Sequence, residues 1–418
     1  MSSIPEAQHS TTGLTLQRPA VQANLGSLQV LAFAIACGLT VANIFYTQPL
    51  IGLIGPTLRM PPGRAGLILT LTQIGYGIGL LVLVPLSDVV ENRRLVMASL
   101  FAVALGLLGV ATSHSTASFL AAAFEVGVFA AATQILVPFA SHLAPADSRG
   151  RIVGTVMSGL LGGIMLARPF SSYVAATLGW RAVFYCSAAM MLGLAFLLRA
   201  ILPQRRPHAV LTYGKILRSL PRLAARTPIL RRRAFYQAML FGAFNIFWTG
   251  APLLLAQEFG LGQREIALFT LAGAAGALAA PIAGRLADRG ITRPATGWAL
   301  GFAVAALLIA VQAAREHSMA LLIVAAVILD AAVQVCQVLS LRAIYTLAPE
   351  SRGRLNGLFI AAAFVGGATG SGLSPEIYTY HGWGTLQTVA AAFVLAGFTV
   401  FMLEWRADDG PSPLRLKQ

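Results

Sequence analysis

The sequence predicts an all-α membrane protein with twelve transmembrane helices, and three observations support this fold class. Of 418 residues, 57% are hydrophobic and only 11% are charged, whereas a soluble domain uses about 25% charged residues. Apolar runs recur along the chain, and each is long enough to cross a bilayer core as a helix. The second half of the chain also repeats the first. These features indicate a polytopic membrane protein built from two similar halves.

Twelve apolar runs are separated by polar connections. A bilayer core needs about 20 helical residues. The runs are continuous rather than alternating, which excludes β-strands as the spanning form. We expect spans at 29–57, 65–87, 94–112, 117–143, 152–176, 181–202, 234–257, 265–287, 294–314, 318–347, 355–378 and 383–404.

One long connection divides the spans into six plus six. The residues between Pro203 and Arg233 are basic and interrupted by proline. The N-terminal arm is polar and has no apolar core, so we expect it to be disordered and not a cleavable signal peptide. The predicted organisation is an arm at 1–28, a six-helix half at 29–202, a linker at 203–233, a second six-helix half at 234–404 and a tail at 405–418.

Basic residues are concentrated on one side of the predicted membrane. The chain has 30 Lys and Arg against 15 Asp and Glu, and most of the excess lies in the even-numbered connections and the linker. The positive-inside rule therefore predicts cytoplasmic termini and a cytoplasmic linker. Nucleic-acid binding is disfavoured, because no basic face is interleaved with aromatic residues.

Short phrases recur about two hundred residues apart. Residues 149–151 match 352–354, and residues 179–180 match 382–383 at the same offset of 203. Residues 43–47 match 245–249 nearby. Six spans per half is an even number, so both halves cross the membrane in the same sense. The sequence thus predicts a parallel repeat whose axis lies along the membrane normal.

Two copies of one loop motif carry a family resemblance. Residues 284–290 read GRLADRG, and residues 84–94 read VPLSDVVENRR, which keeps the Asp and the arginines but lacks the glycines. The copy at residues 284–290 is similar to the cytoplasmic gate motif of the major facilitator superfamily, G-x-L-a-D-r-x-G-r-r. Over 29–404 the chain is identified as a member of that superfamily, most like its bacterial efflux-type members. This resemblance implies a location in a bacterial inner membrane and suggests an antiporter. The family's fourth-span Arg motif is absent, since Ala123 occupies its place.

The resemblance implies a cytoplasmic gate. Contacts between Asp and Arg would close that side and break as the two halves rock. A solvated charge cluster that only orients the protein is the alternative. The candidate gate residues are Asp88, Arg93, Arg94, Arg149, Arg151, Asp288, Arg289, Arg352 and Arg354.

Three charged residues lie well inside predicted spans: Glu125, Arg168 and Asp330. Each costs about 2.5–3.5 kcal/mol at a span centre, so each needs a reason. At about 1.5 Å rise per residue, Glu125 and Arg168 reach the same depth on spans 4 and 5. We therefore predict an ion pair or a shared polar cavity, with a role either in structure or in coupling and substrate binding. The remaining alternative is that the two side chains face apart.

Asp330 is expected to have no basic neighbour. The position that matches Arg168 in the second half is Ser371. A carboxylate that loses its water and has no cationic partner is more readily protonated, as a proton-coupling site requires. The alternative is a hydrogen-bonded interior residue that pairs with Gln334 or Ser371.

Amide, hydroxyl and aromatic side chains occur at matching places in both halves. Polar groups within spans belong on an interior face, and aromatic neighbours suit an amphipathic organic substrate. Hydrogen bonds between packed helices are the alternative. The candidate cavity residues are Asn43, Tyr46, Gln48, Gln73, Tyr76, Gln134, Asn245, Trp248, Thr249 and Gln337.

The function that we expect is secondary active transport of a small organic solute by alternating access. Protons are the expected coupling ion because the available groups inside the spans are titratable acids. Export is the direction implied by the resemblance, and an uptake permease is the alternative. No phosphate-binding loop is present, so ATP is not the expected energy source. An integral-membrane enzyme is disfavoured because acids and histidines are not clustered. A sensor that has the same fold but does not transport is a further alternative. We expect no metal, no cofactor and a monomer in the lipid bilayer.

Overall fold

The computed structural model describes residues 26–145, 147–204, 212–347 and 352–409. The regular structure of these residues is helical, with no strand among them. Most of the predicted arm and of the predicted tail lies outside the described residues.

The first half contains six spans in the predicted order. Span 1 is broken into Ser27–Ala42, a 3-10 turn at Gln48–Leu50, and Ile51–Thr57. Span 4 is broken into Thr116–Ala130 and Thr133–Leu143. The other helices are span 2 at Leu67–Leu86, span 3 at Asn92–Thr112, span 5 at Arg149–Leu178 and span 6 at Trp180–Ile201.

The second half repeats this pattern. Span 7 is Pro228–Gln257, span 9 is Thr292–Arg315 and span 10 is Met319–Tyr345. Span 8 joins Gln263–Gly273, a 3-10 stretch at Ala274–Ala279, and Ala280–Asp288. Spans 11 and 12 form one helical run, Arg352–Asp409, which is interrupted at Gly382.

The twelve-span prediction is confirmed. Within the described residues, ten helices are long and apolar enough to cross a membrane. One of them contains both span 11 and span 12, and span 1 is divided into shorter pieces.

The repeated Gly-Trp phrase marks the same turn in each half. Gly179 has φ 83° and Gly382 has φ 75°, a left-handed conformation that glycine adopts without steric cost. The tryptophans that follow, Trp180 and Trp383, are both buried. Each phrase therefore reverses the chain between its half's last two spans and anchors the final span.

Glycine crossings are also repeated. A Cβ on Gly38 would lie 2.6 Å from the Gly159 carbonyl oxygen, so spans 1 and 5 meet backbone to backbone. In the second half, a Cβ on Gly242 would lie 3.0 Å from the Gly366 oxygen, where span 7 crosses span 11. Small residues permit such close helix approach.

The linker contains a helix that the sequence reading did not include. It spans Tyr213–Arg226 and packs on spans 2, 7 and 11. Ile216 and Leu220 are buried, whereas Arg218 and Arg222 are exposed. The Tyr213 hydroxyl donates a 3.0 Å hydrogen bond to the Val82 carbonyl oxygen of span 2. The linker helix thus contacts both halves.

The two halves meet along a seam formed by spans 2 and 11 and by spans 5 and 8. We call the side that bears the connections after spans 1, 3, 5, 7, 9 and 11 the odd-loop side, and the other the even-loop side. Gly66, at the odd-loop end of span 2, leaves no room for a Cβ against Gly372 and Pro375. The Thr70 hydroxyl donates to the Ala368 carbonyl oxygen at 3.0 Å. The seam is closed on the odd-loop side.

Candidate functional site

A cavity of about 100 Å³ lies at the centre of the seam. Its walls come from spans 1, 2, 4, 5, 7, 10 and 11, so both halves contribute. Aromatic rings form much of the wall, including Phe45, Phe241, Phe244 and Phe364. The polar lining residues are Tyr76, Gln134, Arg168, Gln237, Asp330, Gln334 and Gln337.

Arg168 of span 5 is buried with a relative exposure of 2%. Its Nε donates a 2.7 Å hydrogen bond to Gln48 Oε1. The guanidinium carbon lies 4.6 Å from the centre of the Trp248 ring and 5.0 Å from that of Phe244. These cation–π contacts cross the seam, because both rings belong to span 7. They are a favourable environment for a desolvated guanidinium.

Asp330 of span 10 lines the same cavity, and Trp248 Nε1 donates a 2.7 Å hydrogen bond to its Oδ1. Arg168 packs on the ring of the same tryptophan, with its guanidinium carbon 4.6 Å from the ring centre. The expectation that Asp330 lacks a basic neighbour is therefore wrong. The cation comes from the other half of the molecule, whereas the sequence reading considered only the adjacent span.

The predicted Glu125–Arg168 ion pair does not form among the described residues. Glu125 belongs to the first part of span 4, which packs mainly on spans 2 and 3. Gly75 of span 2 contacts the backbone of Phe124 beside it. Arg168 instead points into the cavity. Counting residues predicts that the two side chains lie at the same depth in the membrane. It does not predict whether they lie on the facing sides of their helices.

Three of the predicted cavity residues line the cavity: Tyr76, Gln134 and Gln337. Gln134 Nε2 donates to the Tyr76 hydroxyl at 3.4 Å, and Asn356 Nδ2 donates to Gln134 Oε1 at 3.3 Å across the seam. Gln134 therefore takes part in contacts within and between the halves.

Four other predicted residues form a polar layer between the cavity and the odd-loop side. Gln73 Nε2 donates to Asn245 Oδ1 at 2.6 Å. Gln48 Nε2 lies 3.4 Å from Asn245 Oδ1 and 3.5 Å from the Thr249 hydroxyl. All three contacts join opposite halves, so in this conformation these side chains hold the seam shut rather than line the cavity.

Asn43 and Tyr46 lie outside the lining. Asn43 Oδ1 accepts a 2.6 Å hydrogen bond from the Ser187 hydroxyl of span 6. The Tyr46 ring packs against Phe170 at 5.7 Å. Asn43 thus differs from its repeat counterpart Asn245, because its partner lies within its own half. The matching sequence did not reveal this difference.

A larger cavity of about 490 Å³ lies on the even-loop side. It begins at Gln134, which also lines the central cavity, and reaches the predicted gate residues Asp88, Arg352 and Arg354. Leu220 of the linker helix forms part of its wall. The seam is thus packed on the odd-loop side and hollow on the even-loop side.

Several predicted gate residues make contacts within their own half. Arg93 Nη1 donates to the Leu202 carbonyl oxygen at 3.0 Å, and Arg94 pairs with Glu91 at 2.8 Å. Asp288 pairs with Arg342 of span 10 at 2.5 Å. Among the described residues, Arg149 also donates to Ala144, Arg352 donates to Tyr345, and Arg354 donates to Ser219 of the linker helix.

Two amide side chains that line the cavity, Gln237 and Gln334, were not among the predicted cavity residues. Gln334 and Gln337 follow Asp330 by four and seven residues, which places all three on one face of span 10. Gln237 precedes Phe241 and Phe244 by the same spacings. The helical period was the signal that could have identified Gln237 and Gln334.

Two six-helix halves around a polar seam cavity define a membrane transporter of the two-lobed helical class. The family model of the Major Facilitator Superfamily matches residues 31–296 and 234–417. The uncharacterised transporter YgaY of Escherichia coli O157:H7 is 38% identical over 378 residues, covering 90% of this chain and 95% of its own. The probable transporter SCO4007 of Streptomyces coelicolor is 33% identical, covering 88% and 85%. The chain belongs to the major facilitator superfamily.

The fold is similar to that of solved transporter structures. A solved bacterial homolog of the human lysosomal transporter Spinster, in an inward-facing and occupied conformation, aligns with a TM-score of 0.71. The alignment covers 93% of this chain and 98% of that one at 15% sequence identity. This likeness shows the fold alone.

Proposed function

We propose that this transporter moves a small organic solute across the bacterial inner membrane by alternating access and that protons drive the movement. The observation that supports the proposal is the placement of Arg168 and Asp330, from opposite halves, against one shared side chain, Trp248. A charge on each half at one central site makes the seam sensitive to protonation, because neutralising one partner removes attraction across it.

Asp330 is the proton site in this proposal. A proton on its carboxylate neutralises the charge that compensates Arg168. The free energy that holds spans 5 and 10 together at the cavity then falls, and the seam can rearrange. A solute bound in the cavity changes the same balance. Proton and solute are thereby coupled through one pair of side chains.

The basic connections favour a cytoplasmic even-loop side, with both termini cytoplasmic. With this orientation, the conformation described above is open towards the cytoplasm. The gate residues of the even-loop side, including Asp88, Arg149, Arg151 and Arg289, would then meet across the seam in the opposite conformation. We propose that the working unit is a monomer, because one chain forms the whole cavity.

The direction of transport has two candidates. Proton-coupled export by antiport is the direction of the efflux-type members that the motifs resemble. Uptake by symport is the second candidate, and the position of Arg168 favours it. A proton on Asp330 leaves Arg168 without its counter-charge, so an anionic solute and a proton would bind together and travel together.

Vesicle transport tests the proposal. The purified protein is reconstituted, and accumulation of labelled benzoate, glucose, uridine and tetraphenylphosphonium is followed under imposed pH gradients of both signs. We expect uphill accumulation of at least one solute by the wild type and its loss in Asp330→Asn. An acidic exterior drives symport, and an acidic interior drives antiport.

The matched control is Glu125→Gln, which removes the other acid that lies well inside a predicted span. Glu125 lies outside the cavity lining, so this variant is expected to accumulate solute as the wild type does. Equal uphill accumulation by Asp330→Asn and the wild type would contradict the assignment of the proton site.

A further inference from the structure

We infer that the solute is a small organic carboxylate with an apolar body and that its carboxylate binds Arg168. This inference rests on the proposed function and deepens it by naming the chemical class of the solute. Three features of the cavity carry it: an unsatisfied guanidinium, the rigid support of that guanidinium, and an aromatic wall.

The guanidinium of Arg168 is only partly satisfied. Among the described residues, Nε is its only nitrogen with a hydrogen bond, and Nη2 is buried without a partner. A buried donor on a charged group is costly when it has no acceptor. A carboxylate in the cavity would supply the missing acceptors, and two parallel N–H···O bonds are the preferred geometry for this pair.

The surroundings of Arg168 hold its planar group in place. Gln48 accepts from Nε on one edge, and the Trp248 ring lies 4.6 Å from the guanidinium carbon. Phe45 and Phe244 pack at 5.4 and 5.0 Å. Such preorganisation lowers the entropy lost when a ligand binds. Arginine is suited to bidentate recognition of a carboxylate in a way that lysine is not.

The remaining wall selects the body of the ligand. Phe241, Phe244 and Phe364 offer aromatic faces, and Gln334 and Gln337 offer a few amide groups. A mostly apolar wall with few polar groups is typical of small-molecule sites. The cavity of about 100 Å³ is smaller than the cavity of about 150 Å³ that holds benzene in another protein. It must therefore widen towards the even-loop side to admit a one-ring or two-ring acid.

Asp330 shapes the binding of such an anion. Its carboxylate is the negative charge that an incoming carboxylate would meet beside Arg168. Removing that charge is expected to strengthen anion binding, whereas removing Arg168 is expected to abolish it. The two substitutions are therefore predicted to change the affinity for an anion in opposite directions. Because protonation of Asp330 would also favour anion binding, proton and anion would bind together, which favours uptake over export.

Equilibrium binding tests the inference. Purified full-length protein in lipid nanodiscs is dialysed against benzoate, phenylacetate or 1-naphthoate, and each acid is compared with its neutral amide. We expect at least one acid to bind about ten- to a hundredfold more tightly than its amide, the range of a charged hydrogen bond. Arg168→Gln is expected to lose this preference, Arg168→Lys to keep part of it, and Asp330→Asn to bind the acid at least as tightly as the wild type.

Arg181→Gln is the matched control. Arg181 also packs on a tryptophan, with its guanidinium carbon 4.3 Å from the centre of the Trp180 ring, but it does not line the cavity. This variant is expected to bind as the wild type does. If Arg168→Gln fails to fold, the preference of the wild type for acid over amide tests the ligand class, and Arg168→Lys tests the residue. Binding of no acid above its amide, or an acid preference that survives Arg168→Gln in folded protein, would overturn the inference.

The experiment is independent of transport. Binding is measured at equilibrium without a pH gradient. A failure of every acid to bind would therefore contradict the ligand class and leave proton coupling to be judged by the transport experiment. Conversely, carboxylate binding without uphill transport would support the ligand class and contradict the coupling.

Discussion

At the residue scale, Trp248 is the side chain that contacts both charged residues of the cavity. Its indole N–H donates to Asp330, and its ring supports Arg168. The side chain is fully buried among Phe244, Phe247 and Phe269. One residue of span 7 thus holds both the anion of span 10 and the cation of span 5.

Trp248→Phe tests this role. Phenylalanine keeps a ring but cannot donate, so Asp330 loses its hydrogen bond at a cost of about 1–3 kcal/mol. We expect a lower unfolding temperature for the variant and a clearly smaller effect in an Asp330→Leu background, where no carboxylate needs the donor. Trp298→Phe is the control, because Trp298 is 57% exposed. Equal effects in both backgrounds would show that the hydrogen bond is not the source of the loss.

Arg168 and Asp330 could be identified from the sequence, but their contact with one shared tryptophan could not. Arg168 and Asp330 stood out because charges inside apolar spans are rare and costly. Residue counting then gave their depth along the membrane normal. The facing of each helix depends on packing between distant spans, and a partner 162 positions further along the chain could not be found from neighbouring spans.

At the scale of the helices, the glycine crossings set how the repeats are assembled. Gly38 and Gly163 meet where span 1 crosses span 5, and Gly242 and Gly370 meet at the equivalent crossing of span 7 and span 11. In both halves the contact is between backbones. The pattern explains the dense glycines of spans 5 and 11 by packing.

A pair of adjacent glycines tests this explanation. A methyl group at Gly163 would meet the Gly38 backbone, whereas a Cβ at Gly162 has nothing within 4 Å. We expect Gly163→Ala to lower stability by about 1–3 kcal/mol through overpacking. Gly162→Ala should be neutral or stabilising by up to about 1 kcal/mol. Unfolding curves in detergent measure both, and equal stability of the two variants would contradict the crossing.

The spans were predictable to within a few residues, because hydropathy over a bilayer's thickness is a strong signal. The linker helix was not predicted, although it has a helical period: Ile216, Leu220 and Leu223 lie on one face and Arg218 and Arg222 on another. The basic composition suggested only a connection. Packing on spans 2, 7 and 11 gives that amphipathic face its partner.

At the scale of the whole molecule, the seam is closed at one end and hollow at the other. Spans 5 and 8 pack together through the Gln263–Gly273 part of span 8, which lies on the odd-loop side. The cavity of about 490 Å³ occupies the even-loop side. The repeat predicted two halves and a seam, but a sequence has no signal for which end is closed. The proposed alternating access requires a second conformation that keeps the contacts within each half and reverses the closed end of the seam.

The central claim is that the halves rock about the seam, so that opening one end closes the other. Gly66→Val inserts a side chain against Gly372 and Pro375 on the odd-loop side. Gly77→Ala is its control on the same span, with only the Ala361 oxygen at 3.8 Å. Spin labels at Thr177 and Arg264 report on spans 5 and 8 at the odd-loop side, and labels at Thr155 and Arg285 report on the even-loop side, all in a Cys186→Ser background.

Electron–electron distance measurement in nanodiscs is therefore the most direct test. For Gly66→Val we predict a longer distance between the odd-loop labels together with a shorter distance between the even-loop labels, whereas Gly77→Ala keeps the wild-type distances. A variant in which the odd-loop distance grows while the even-loop distance stays the same or also grows would contradict alternating access by rocking of the two halves.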